Sequence, residues 1–189
     1  LLTSTLDLNE ILEHIMLKVS QLVQAQNWSL LLIDESSGNL TFEVVVGIDK
    51  ESVLNIKIRK GEGIAGLVAQ NGEPVFVYDA ENDPRVCKKV DKATGFSTKS
   101  IICLPLKIHG KILGVIEIVN VDDFEKFNKK DLPILSILAD YAAIAIENSQ
   151  YFSKIQKMSI TDEYTGLYNA RYLHEILEED YLQYRLRST

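Results

Sequence analysis

Apolar residues recur three and four positions apart at Leu8, Ile11, Leu12, Ile15, Met16, Val19, Leu22 and Val23, which predicts an amphipathic helix ending near Ala25. Asp7-Leu8-Asn9-Glu10 ahead of it has the form of a capping box. From Trp28 the pattern changes. Residues 29–34 form an apolar run closed by the turn signal Glu35-Ser36-Ser37-Gly38, and 40–46 reads as its hairpin partner. Residues 56–59 alternate as a short third strand. Gly61-Glu62-Gly63-Ile64-Ala65-Gly66 opens a short helix through Gln70, and a turn at Asn71-Gly72-Glu73-Pro74 leads into a strand at 75–78.

Residues 79–97 are a long polar stretch, and a loop of that length in a compact domain is usually functional. Strands at 100–108 and 111–119 follow, joined by His109-Gly110. Pro105 marks an edge or a bulge in the first of them. Gly114 leaves room for a helix or a ligand to press on the second. A last long helix is expected over about 128–158. The order of elements predicts an α+β fold, a central antiparallel sheet with helices packed on one of its faces.

Composition narrows the function. At 46% hydrophobic and 25% charged residues, the 189-residue chain can build a core. Its formal charge of −7 argues against a nucleic-acid partner, because such a surface repels a phosphate backbone. No run approaches the roughly 20 apolar residues of a membrane span, so no membrane role is expected of this segment. Cys103 sits in an apolar run and Cys87 beside Lys88 and Lys89, which makes neither a disulfide framework nor a metal site. A reducing, cytoplasmic setting follows as the expectation. The chain opens on Leu1 instead of methionine, as a piece of a longer protein would.

Several ordered blocks resemble the GAF family. They are Gly61 to Ala69, then Gly72-Glu73-Pro74-Val75, then Thr94 to Leu106, and finally Gly110 to Asn120. The resemblance covers about 1–150, with the helix at 128–158 as its signalling helix. It implies a small-molecule pocket between the sheet and the embedded loop, with Tyr78, Asp79, Val86, Thr94, Phe96 and Thr98 as candidate walls and Trp28 and Phe42 below them. Asp79 has a second reading, as the cap of the turn that follows it. Trp28 and Phe42 likewise have a plain core reading.

GAF domains that bind cyclic nucleotides carry a spaced Asn-Lys-Phe-Asp-Glu pattern. Here Asn120, Phe127 and Asp131 fit, but Val121 and Leu132 replace the lysine and glutamate, so the lysine–aspartate pair is missing. Neither cysteine has the adjacent histidine of a bilin site. His14, His109 and His174 suggest no haem ligand. No metal and no cofactor is required by the sequence, and the ligand is an unidentified small molecule.

The long helix carries two stripes, one of Leu135, Leu138, Ala142, Ala145, Ser149 and Phe152 and one of Ile137, Tyr141, Ile144, Asn148, Tyr151, Ile155 and Met158. One stripe covers the sheet. The second points to a parallel homodimer. Beyond it, Asp162, Thr165, Gly166, Leu167, Asn169 and Arg171 match the opening motif of GGDEF diguanylate cyclase domains, with Tyr164 and Ala170 departing from it.

Residues 159–189 thus resemble the start of such a domain, with another helix over 172–185. In that family the segment is a hinge, and the cyclase joins GTP into cyclic di-GMP with magnesium. No two of the ten glycines are adjacent, so the Gly-Gly-Asp/Glu-Glu-Phe hairpin is absent and this chain is expected to be non-catalytic. The combined expectation is a GAF sensor governing a cyclase through a paired helix. The competing one is a ligand-free scaffold, its pocket filled by Phe96 and Tyr78.

Overall fold

The computed structural model describes residues 8–122, 124, 131–160, 162, 165, 167–174, 176 and 177. The capping-box Asp7, together with Phe127, Gly166 and residues 178–189, lies outside them, as do the side chains of Asp131 and Met158. Two units are distinguished, Leu1–Ile146 and Glu147–Thr189.

In the first unit, helix α1 (Leu8–Leu22) precedes strands β1 (Ala25–Ile33) and β2 (Leu40–Val46). Helix α2 (Gly63–Asn71), strand β3 (Val75–Val77) and the six-residue α3 (Lys89–Thr94) come next. Strands β4 (Ile101–Ile108) and β5 (Lys111–Val121) complete the sheet, and α4 (Asp131–Ile160) leaves it. The sheet has five strands in the order β2-β1-β5-β4-β3, all antiparallel.

Alternation along the strands sends two sets of side chains to two cores. Leu30, Leu104, Ile116 and Ile118 pack with Leu12, Met16 and Val19 of α1 and Leu135, Ala139, Ala142 and Ile146 of α4. Leu31, Cys103 and Val115 point the other way, to Ile64, Ala65 and Val68 of α2 and to Leu40, Val53 and Ile58. Helices therefore cover both faces, not one as the element order suggested. The expected strand at 56–59 is reduced to a single bridge between Leu40 and Ile58.

Turn chemistry closes the elements. His109 and Gly110, both at positive φ (49° and 81°), make the β4–β5 hairpin turn. Gly72, at φ 69°, ends α2 by donating its N–H to the Val68 carbonyl. β3 pairs with β4 only as far as Cys103, so Pro105 lies where β4 has an open edge. What presses on Gly114 is the neighbouring strand. A Cβ there would lie 2.1 Å from the Leu31 carbonyl oxygen of the neighbouring strand.

Residues 132–152 of α4 are long and apolar enough, by length and composition, to cross a membrane, contrary to the sequence expectation. The burial of Leu135, Ala139, Ala142, Ala143 and Ile146 against the sheet gives that apolarity another cause. In the second unit, Asp162 accepts the N–H and hydroxyl of Thr165 at 2.9 and 2.8 Å. Asn169 accepts the Tyr172 N–H at 2.9 Å, capping the helix that begins at Ala170, and donates to the Ser159 carbonyl at 2.7 Å. Arg171 donates to the Ser159 hydroxyl at 3.1 Å, and Asp162 N–H binds the Leu167 carbonyl at 2.8 Å.

Candidate functional site

A cavity of about 60 Å³ lies between the sheet and the segment that runs from α2 to β4. Its floor is the middle of the sheet, where β1 and β5 pair Asn27 with Val119 and Ser29 with Glu117, and β4 sets Cys103 on the other side of Glu117. The α2 side contributes Glu62, Gly63, Ile64 and Ala65. Phe42 comes from β2, and Val86, Cys87, Val90, Asp91, Phe96 and Thr98 from the chain that covers the opening.

No residue of α3 is fully buried, and the covering chain is held by Val86 and Val90 packing in part on the core together with polar contacts. Asp91 accepts the Thr98 hydroxyl at 2.6 Å and its N–H at 3.2 Å. Glu62 is paired with the Lys89 ammonium and takes the Arg59 N–H at 3.1 Å. The Lys89 contact, then the Arg59 N–H, hold the Glu62 carboxyl below its ordinary range. Where the segment rejoins the sheet, Asn120 clamps it. Its amide oxygen accepts the Lys99 and Ser100 N–H groups at 2.6 and 3.3 Å, and its nitrogen donates to the Ser97 carbonyl and to Gln26 at 2.8 Å each.

Glu117 is the anomaly. It stands on a central strand in the middle of an apolar run, and no hydrogen bond or ion pair reaches its carboxyl among the described residues. Some of its surface stays accessible, and on an interior strand that surface can face only the cavity. Burial pushes its pKa from 4.5 up to about 7. The Cys103 thiol opposite is raised well above its usual value, first by its own burial and then by the Glu117 charge.

Of the eight residues proposed from sequence, Phe42, Val86, Phe96 and Thr98 line this cavity. The other four are elsewhere. Trp28 alternates to the opposite face of the sheet and packs beside the α1–α4 core. Tyr78 is 71% exposed, its ring 4.3 Å between centroids from Phe124, so it does not fill the cavity. Asp79 caps its own turn by accepting the Asn82 side-chain amide at 2.8 Å. Thr94 closes α3, donating to the Val90 carbonyl at 2.9 Å. Sequence reasoning missed Asn27, Ser29, Glu62, Cys87, Asp91 and Glu117, and the signal for the last was a lone carboxylate inside a buried strand.

The GAF domain family matches residues 7–146. The chain belongs to the GAF family. The solved GAF domain of the phosphoenolpyruvate-protein phosphotransferase from Acinetobacter superposes with a TM-score of 0.68 at 22% identity, over 78% of this chain and 87% of that one. A domain of a putative two-component sensor histidine kinase from Sinorhizobium meliloti 1021 gives 0.63 at 15% identity, over 82% and 99%. By sequence, the dual 3′,5′-cyclic-AMP and -GMP phosphodiesterase 11A of Takifugu rubripes is 32% identical over 166 residues, which is 82% of this chain. The chain spans only 18% of that relative's length. In this GAF domain the cavity lies over the sheet centre, and the Asn of the cyclic-nucleotide pattern, Asn120, serves as the clamp described above.

The two thiols of this GAF domain should react very differently. Cys87 is half-buried at the cavity lip, whereas Cys103 is buried with its thiolate disfavoured. One thiol is expected to react promptly with a disulfide reagent in the native state and two after denaturation. Mass mapping that found Cys103 labelled first would contradict the site geometry.

Proposed function

We propose that this GAF domain is a regulatory sensor: a small molecule enters the cavity over Glu117, and its occupancy governs an output domain through α4. The observation that carries the reading is a cavity at the sheet centre whose floor holds a carboxyl with no protein partner among the described residues. Ligand pockets combine apolar walls with a few placed polar groups, as this one does. Of the two side chains expected to fill a scaffold's pocket, Phe96 lines the cavity and Tyr78 stands outside it, exposed.

The second stripe of α4 is where the signal leaves. Ile137, Tyr141, Ile144, Asn148, Tyr151 and Ile155 are all exposed, Tyr141 by 61% and Ile155 by 64%. Apolar residues exposed at alternating three- and four-residue spacing fit a coiled-coil seam with a second copy. A parallel homodimer follows, with occupancy favouring one of two helix arrangements. The wild-type chain is expected to run as a dimer in light-scattering chromatography. Tyr141→Glu with Ile144→Glu should convert it to a monomer at least tenfold more readily on dilution. An unchanged dimer would remove the seam.

The output we infer is a diguanylate cyclase in a longer protein, and this chain alone is non-catalytic. Support comes from the match of 162–171 to the GGDEF opening and from the hinge contacts of Asp162, Thr165, Leu167, Asn169 and Arg171. The phosphodiesterase relative supplies an alternative output. With GTP and magnesium, the longer protein carrying this chain should form cyclic di-GMP. Hydrolysis of cyclic nucleotides instead would decide for the alternative.

A further inference from the structure

The polar groups around the cavity are unequal. Asn27 donates to the Val46 carbonyl and accepts the Ser29 hydroxyl, both at 2.9 Å. Glu62 takes Lys89, Asp91 takes Thr98, and the Cys87 thiol leans on Glu62 at 3.8 Å. Only Glu117 is left without a partner among the described residues. No lysine, arginine or histidine lines the space, while three carboxylates do. Glu62 and Asp91 are offset by Lys89 and Lys88, so the uncompensated charge that an anionic ligand would meet is that of Glu117. A buried carboxylate is stabilised by a counter-charge, and no residue lining the cavity brings one to Glu117, so a cationic ligand is what would supply it.

We propose that the cavity takes a small organic ammonium ion, its N–H groups bound by the Glu117 carboxylate and its hydrocarbon part held among Phe42, Ile64 and Phe96. This assignment deepens the sensor reading and rests on it. The apolar walls suit the hydrocarbon, and aromatic rings beside the site favour a cation over an anion. Size points the same way. A cavity of about 150 Å³ is filled by benzene, so one of about 60 Å³ suits a body of few atoms. A nucleotide would require the segment from Cys87 to Thr98 to move away, breaking the Lys89–Glu62 contact that ties it to the start of α2.

Three small probes separate charge from fit: ethylamine, ethanol and acetate, with cyclic GMP as the nucleotide. Each is titrated into the nitrogen-15-labelled chain while the amides of Ser29, Thr98 and Glu117 are followed by NMR. Ethylamine should shift all three and bind at least tenfold more tightly than ethanol, with acetate and cyclic GMP leaving them in place. Glu117→Gln should weaken the amine at least tenfold and erase its advantage over the alcohol. Equal binding of amine and alcohol to the wild type, or preference for acetate or cyclic GMP, overturns the ammonium assignment while the sensor pocket stands. Failure of all four probes to move these amides overturns the assignment and favours a ligand-free scaffold.

Discussion

Glu117→Gln is expected to make the protein more stable at pH 8 and to leave it unchanged near pH 4. The carboxyl titrates at 4.5 when unfolded and at about 7 when folded, because burial disfavours its charge. Between those values the folded state holds more protons than the unfolded one, so wild-type stability falls as pH rises from 4.5 to 7. Above pH 7 the full penalty is present. Its ceiling is about 3 kcal/mol from the size of the displacement, and water reaching the cavity brings the expected gain to about 2 kcal/mol. Glutamine keeps the shape and loses the charge. Urea unfolding of both proteins at pH 4 and pH 8 measures the difference directly. A gap of the same size at both pH values would mean that Glu117 is not the buried carboxyl described here. A group that lowers stability at neutral pH is the kind retained for function.

Gly114→Ala should be the most damaging small substitution in the sheet. β1 and β5 are its central pair, and a Cβ on Gly114 would sit 2.1 Å from the Leu31 carbonyl oxygen, a backbone atom that cannot swing aside. Overpacking usually costs about 1–3 kcal/mol. With backbone on both sides of the clash, about 3 kcal/mol or more is expected, a fall in Tm of about 6–12 °C for a domain of this size. Gly38→Ala is the control, since nothing lies within 4 Å of its Cβ and only its positive φ of 70° is strained. That change should cost about 1 kcal/mol. Equal losses in thermal melts followed by circular dichroism would show that the close β1–β5 approach at Gly114 is not rigid.

Much of the fold was legible because period and turn chemistry agreed. The β4–β5 hairpin, the α1 stripe and the Gly72 stop all follow from residues that leave the chain little choice. β1 began earlier than its apolar run because Asn27 carries the strand onto the cavity face with a polar side chain. That residue broke the pattern that would have announced it. The helix α3 was hidden because only Val90 turns toward the core and six residues carry no apolar period. Face assignment failed for α2, whose burial is decided by tertiary packing and not by sequence order.

The cavity was half legible. Phe42, Val86, Phe96 and Thr98 were found through family resemblance, while Trp28 was lost to alternation by one position along β1. Tyr78 and Asp79 lie on the exposed start of the long loop, and sequence alone does not say where that loop turns inward. Glu117 was overlooked although it breaks the run Ile112-Leu113-Gly114-Val115-Ile116, and a charge at a core position is the most informative departure a strand can make. The cyclic-nucleotide pattern misdirects in turn, since Asn120 is engaged in holding the loop to the sheet.

The most direct test of the account is a carbon-13 NMR titration of the Glu117 side-chain carboxyl in the wild-type chain. A midpoint near 7 is predicted, as for a carboxyl held away from bulk water without a protein partner. A midpoint at the ordinary 4.5 would mean that the group is solvated or already paired, and both the sensing cavity and its ammonium ligand would lose their foundation.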